Sequence, residues 1–162
     1  MKHTLPTLSL LAAAVSIVAA GESKIKKTEL PPAVQSAFRA QYPNARVKEL
    51  ARETDDGKTV YEVSVDDAGV RRDVLYSPEG QRLLEETTIR AQELPEVVAK
   101  ALTSSRFGKA KTLKVERLQE ENQPPKYELL VEMDGKQHEL VFDATGALTN
   151  EEAKEVGDKD AD

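Results

Sequence analysis

Residues 29–38 read "ELPPAVQSAF", and residues 93–102 read "ELPEVVAKAL". Near-identical openings 64 residues apart point to an internal duplication. The alignment extends well beyond the openings. At an offset of 66, Tyr61-Glu62 meets Tyr127-Glu128, Val65 meets Val131, Gly69 meets Gly135, Gly80 meets Gly146, and Glu85-Glu86 meets Glu151-Glu152. Apolar, tyrosine and glycine positions serve different structural needs, so their joint recurrence argues for two copies of one unit. The two extra residues lie between helix and second strand, and the longer loop "QEENQPPK" (119–126) is expected to absorb at least part of them.

Each unit should begin with a helix. Pro31 and Pro32 suit a first turn, where a missing N–H costs nothing. Val34, Ala37, Phe38, Gln41 and Tyr42 keep the spacing of one helical stripe, and Pro43-Asn44 ends it. Val98, Ala101 and Leu102 make the second stripe, with Gly108 just beyond its end. Strands follow. "TVYEVSV" (59–65), "VRRDVLY" (70–76), "KYELLVEM" (126–133) and "QHELVF" (137–142) alternate apolar and polar residues, which predicts antiparallel strands covered on one face. "DDAG", "DG", "SPEG" and "DATG" supply the turns. "ARVKELARE" (45–53) and "KTLKVERL" (111–118) read as first strands with poorer alternation, and "RLLEETTI" (82–89) as a fourth. A unit of about 60 residues buries too little surface to be very stable alone. The expected fold is therefore α+β: two tandem helix-plus-antiparallel-sheet repeats, 29–90 and 91–152, forming a largely continuous, helix-backed sheet with one open face.

The flanks carry other information. Residues 1–20 combine a basic start, a short apolar run and Val18-Ala19-Ala20, the pattern of a secretory signal peptide cleaved after Ala20; the alternative is an uncleaved anchor. Residues 21–28 read as a linker and 153–162 as an acidic disordered tail. From Gly21 onward the chain keeps 22 of the 23 Lys and Arg and all 29 Asp and Glu, a net charge of −7. That balance opposes nucleic acid and anionic membrane surfaces. With no cysteine, disulfides and thiolate zinc sites are excluded.

The run "LPPAVQSAF…YPNA…VYEVSV…SPEG", followed by "LPEVVAKAL…KYELLVEMDGKQHELVFDATG", resembles the PepSY-like family, related in fold to the β-lactamase inhibitor proteins. The second copy departs by "RFGKA" in place of Tyr-Pro-x-Ala, and Ser77 replaces the usual Asp of the last turn in the first. The resemblance, over residues 29–150, implies an exported protein whose helix-backed sheet engages other proteins, sometimes as an inhibitor.

Little points to catalysis. No Gly-x-Ser-x-Gly elbow is present, and His138 is the one histidine outside the leader. It reads either as a pH-sensitive or ligating imidazole or as a sheet-edge side chain with a packing role. Asp55-Asp56-Gly57 and Asp66-Asp67 lack the ligand alternation of a calcium loop and fit hairpin chemistry. Glu85-Glu86 and Glu151-Glu152 must point to opposite faces of their strands. No cofactor, metal site or catalytic residue is expected. The open face is the candidate surface, carrying Glu62, Ser64, Arg71, Asp73 and Leu75, then Glu128, Leu130, Glu132, Glu139 and Val141. Leu75, Leu130 and Val141 should be exposed apolar anchors in a charged ring. The expected protein is a periplasmic or secreted, non-enzymatic protein-binding module, possible as an inhibitor. Its partner is an unidentified envelope or extracellular protein, with neither nucleic acid nor stable membrane insertion after signal cleavage. The alternative is an envelope protein that binds or senses a small molecule or ion.

Overall fold

A computed structural model describes residues 23–55 and 57–154. The elements run β1 (Ser23–Lys24), α1 (Pro32–Gln41), β2 (Arg46–Asp55), β3 (Lys58–Asp67), β4 (Val70–Tyr76), β5 (Arg82–Thr88), α2 (Glu96–Ser104), β6 (Lys111–Glu120), β7 (Lys126–Met133), β8 (Lys136–Phe142) and β9 (Leu148–Lys154). All nine strands form one antiparallel sheet in chain order, β1 to β9. The fold is α+β, a sheet with two helices. Residues 1–20 and most of the acidic tail lie outside the described residues. The stretch read as a linker contains β1, which pairs with β2, and Ala153 belongs to β9.

The helices form where the stripes predict. Pro31 caps α1 and Pro32 opens it, and Val34, Phe38 and Tyr42 are buried from it against Val63, Val65, Val74 and Tyr76. Val98 of α2 and Phe107 just after it pack on Leu129, Val131, Leu140 and Phe142. Both helices therefore lie over the same sheet face. Burial of each such side chain stabilises the fold by about 1.5–3 kcal/mol.

The same devices recur along the chain. Short 3-10 turns precede each helix, at Lys27–Glu29 and Ala91–Glu93, and in each the glutamate carboxylate accepts from a backbone N–H, Lys26 or Arg90. Ladder irregularities fall between Val47 and Glu49 and between Thr112 and Lys114. Two more fall between Leu75 and Tyr76 and between Val141 and Phe142. Phe107 stands where the first half has Tyr42, and each closes the same turn: Ala45 N–H donates to the Tyr42 carbonyl, and Ala110 N–H to that of Phe107. "RFGKA" thus keeps the geometry of Tyr-Pro-x-Ala while losing its letters. One extra residue of the second half enters before Phe107 and the other in the β6–β7 loop, as the register Arg52↔Tyr61 against Arg117↔Tyr127 shows.

Glycine is required at two equivalent turns. Gly80 has φ +84° and an added Cβ would lie 2.7 Å from the Ala33 carbonyl oxygen; Gly146 has φ +86° and would meet the Val97 carbonyl oxygen at 2.9 Å. These contacts seat the first turn of each helix on the turn after β4 or β8.

Candidate functional site

Strand alternation divides the side chains of every strand between the helix-covered face and its reverse. Cross-strand register places Ser64 beside Asp73, Asp73 beside Glu86 and Glu86 beside Leu118 on the reverse face. Glu62, Leu75 and Leu84 form a neighbouring row, and Glu116, Glu128 and Val141 another. The eight residues picked from the sequence, Glu62, Arg71, Asp73, Leu75, Glu128, Leu130, Glu132 and Val141, accordingly share one face. Ser64 and Glu139 join them.

Their exposure differs from expectation. Leu75 is only 3% exposed and Val141 only 6%, and Leu130 is half-buried. Leu75 and Val141, expected to be wet, are packed with Val60, Leu84 and Leu118 into a third apolar cluster made of strand residues alone. No helix among the described residues covers this cluster, so its burial comes from side chains of neighbouring strands crowding together. Arg71 and Glu132 remain exposed at the margins.

Beside the apolar cluster lie the acids. Carboxylate oxygens of Asp73, Glu86 and Glu116, from β4, β5 and β6, lie within 4.8 Å of one another. Asp73 and Glu116 are 6% and 3% exposed. Burial, and then the charges of Glu116, Glu128, Asp73 and Glu62, push the Glu86 carboxyl well above the usual range. Burial also raises Glu62, to about 8; the hydrogen bond it accepts from Ser64 opposes this, and Asp73 and Glu53 reinforce it. Two cations answer in part. Lys114 Nζ lies 3.0 Å from Glu116 Oε2, and Arg71 Nε 3.6 Å from Asp73 Oδ2. Burial would lower Lys114, but Glu116, Asp73 and Glu86 hold it above its ordinary value. Asp73 Oδ1 is buried and has no hydrogen-bond partner. Two half-open depressions, of about 320 and 300 Å³, flank this region; Val60, Leu75, Leu84 and Glu120 help line the second.

Glu53, Glu116 and Lys114 were not singled out from sequence. β2 and β6 contain the bulges, which break strict alternation and hide which residues share a face. Glu86 was legible as the partner of Glu85 on the opposite side, and the structure shows that division. Glu85 lies on the helix side, accepting from Tyr42 Oη at 2.7 Å and from Arg72 and Arg82 at 2.6 and 2.7 Å. The equivalent Glu151 accepts from Arg106. His138, the counterpart of Arg72, lies on internal strand β8 rather than at a sheet edge, and its ring packs 5.0 Å from Phe107. Its Nδ1 is 3.9 Å from Glu151 Oε1. Asp66 Oδ1 accepts from the Gly69 N–H, and Asp67 lies 3.4 Å from Arg72, so this pair serves its hairpin and strand. Asp56 lies outside the described residues.

A family model described as "Putative beta-lactamase-inhibitor-like, PepSY-like" matches residues 17–84 and again 80–150. The chain belongs to this PepSY-like family. Solved structures agree in fold. A protein of Bacteroides eggerthii described as putative periplasmic is 21% identical with a TM-score of 0.68, over 76% of this chain and 88% of the other. A BLIP-like protein of Bacteroides fragilis is 26% identical with a TM-score of 0.63, over 78% and 88%. Comparison with curated proteins finds no match. Among the described residues of this PepSY-like chain, no helix is long and apolar enough to cross a membrane.

Proposed function

We propose that this PepSY-like protein is an exported, non-enzymatic binding module that holds another protein against the uncovered face of its sheet, in the manner of an inhibitor. The observation that carries the reading is a sheet face that no helix among the described residues covers, where half-buried Leu83 and Leu130 lie beside the packed cluster of Val60, Leu75, Leu84, Leu118 and Val141 and carboxylates border it. An apolar centre inside a charged rim is how protein interfaces are built. The depressions on the sheet are half open and at the small end of the range for ligand pockets, so a contact spread over the face makes better use of it than one small molecule would. A partner would need about 800 Å² of this surface. Export rests on residues 1–20, cleaved after Ala20, and on the description of the B. eggerthii neighbour. The recurring turns, bulges and close glycines support two duplicated units, 29–90 and 91–152, joined into one sheet, with 153–162 as an acidic extension.

The test uses the chain from Gly21. Leu75 and Val141 are too buried to probe docking without disturbing the fold. Leu130, half-buried on β7 between Lys114 and Glu139, is the suitable position. Leu130→Arg should fold, by circular dichroism, yet lose a protein captured from envelope extract by the wild type. A correctly folded variant that keeps every captured protein would move the interface off this face.

A further inference from the structure

The carboxylates at the centre of the uncovered face have a second use that protein docking does not require. We propose that Asp73, Glu86 and Glu116 form a binding site for a divalent cation of the calcium type. Spacing is the first argument. Calcium takes oxygen ligands at about 2.3–2.6 Å, so ligands on opposite sides of the ion are about 4.8 Å apart. The three side chains offer oxygens all within 4.8 Å of one another, from three adjacent strands. A rigid sheet holds them there.

The orphaned oxygen is the second argument. Asp73 is 6% exposed, yet its Oδ1 has no hydrogen-bond partner. A buried carboxylate oxygen left unsatisfied is costly. Ionised Glu116 only accepts; where Glu86 keeps its proton that proton can answer Oδ1, and a divalent cation would bind there by displacing it. Arg71 reaches only Oδ2, at 3.6 Å. Glu116 is better supplied, with Lys114 on Oε2 and Thr88 Oγ1 at 3.3 Å from Oε1, but a carboxylate oxygen has lone pairs for more than one partner. Charge is the third argument. Glu62, Asp73, Glu86, Glu116 and Glu128 influence one another across this face, against Lys114 and Arg71. With all five ionised, as cation binding would favour, the acids exceed the two cations by three charges, and a divalent ion cancels two of them. Water can complete the six to eight oxygens that calcium takes.

Isothermal titration of the chain from Gly21 with CaCl₂, at constant ionic strength, tests the site, with the melting temperature followed in parallel. Wild type should bind one ion and melt higher with calcium present. Asp73→Asn and Glu116→Gln should each weaken binding at least tenfold and lose the calcium-dependent rise. Without calcium they should melt no lower than wild type, because each removes a charge from a crowded group. Asp143→Asn, in an exposed turn after β8, should leave the titration unchanged. No heat and no melting shift with wild type at millimolar CaCl₂ would overturn the proposal. So would calcium binding that survives both Asp73→Asn and Glu116→Gln. Because the readout contains no partner protein, failure here leaves the docking test intact, and failure of docking leaves this one intact.

Discussion

At the scale of single residues, the uncovered face trades stability for charge. Glu62 and Glu86 hold their protons more tightly in the folded chain than in the unfolded one, chiefly because they are buried. Such acids contribute stability that is complete below their unfolded value, about 4.5, and is lost as pH climbs to the folded value, about 8 for Glu62. Glu85 has the opposite sign. Burial raises it, but the Tyr42 hydrogen bond and Arg72, with Thr87 and Arg82, bring it below its ordinary value. Its contribution is present above about 4.5 and fades as pH falls through the folded value. Urea melts across pH should therefore show stability declining from pH 5 to pH 9, with a separate loss in acid. Glu62→Gln should flatten the alkaline limb. A limb equally steep in that variant would assign the decline to other groups.

At the scale of elements, helix seating depends on two glycines as well as on the apolar stripes. Gly69 and Gly80 have similar positive φ, +87° and +84°, so alanine is strained at either. Only Gly80 also abuts a helix, with the Ala33 carbonyl oxygen 2.7 Å from the added Cβ, whereas nothing lies within 4 Å at Gly69. Gly69→Ala should cost about 1 kcal/mol in denaturant melts, the strain of a left-handed backbone. Gly80→Ala should cost at least twice that, since α1 must shift. Equal costs would mean that the contact is relieved without loss. The sequence showed the helix stripes and the hairpins because both rest on local periodicity and turn chemistry. Glu116 was missed for a comparable reason in reverse: the bulge between Thr112 and Lys114 interrupts the period that would have placed it.

At the scale of the molecule, the joint between the two halves decides cooperativity. β5 and β6 pair over Leu84↔Glu120 to Thr88↔Glu116, and Leu84 and Leu118 share one apolar cluster. Neither half keeps its inner face without the other. Thermal unfolding of the chain from Gly21 should show one transition, with coincident far-ultraviolet and tyrosine signals. Two resolved transitions would show that the halves fold independently. By itself the sequence determined the order of the two helices and of strands β2 to β8, the helix stripes, the paired turns and which side chains of β3, β4, β7 and β8 share a face, because each follows from spacing along the chain. Only the tertiary structure decided that Leu75 and Val141 are shielded and that Asp73, Glu86 and Glu116 meet. Alternation assigns a side chain to a face, but strand order and cross-strand register set its distance to charges and apolar groups elsewhere in the chain.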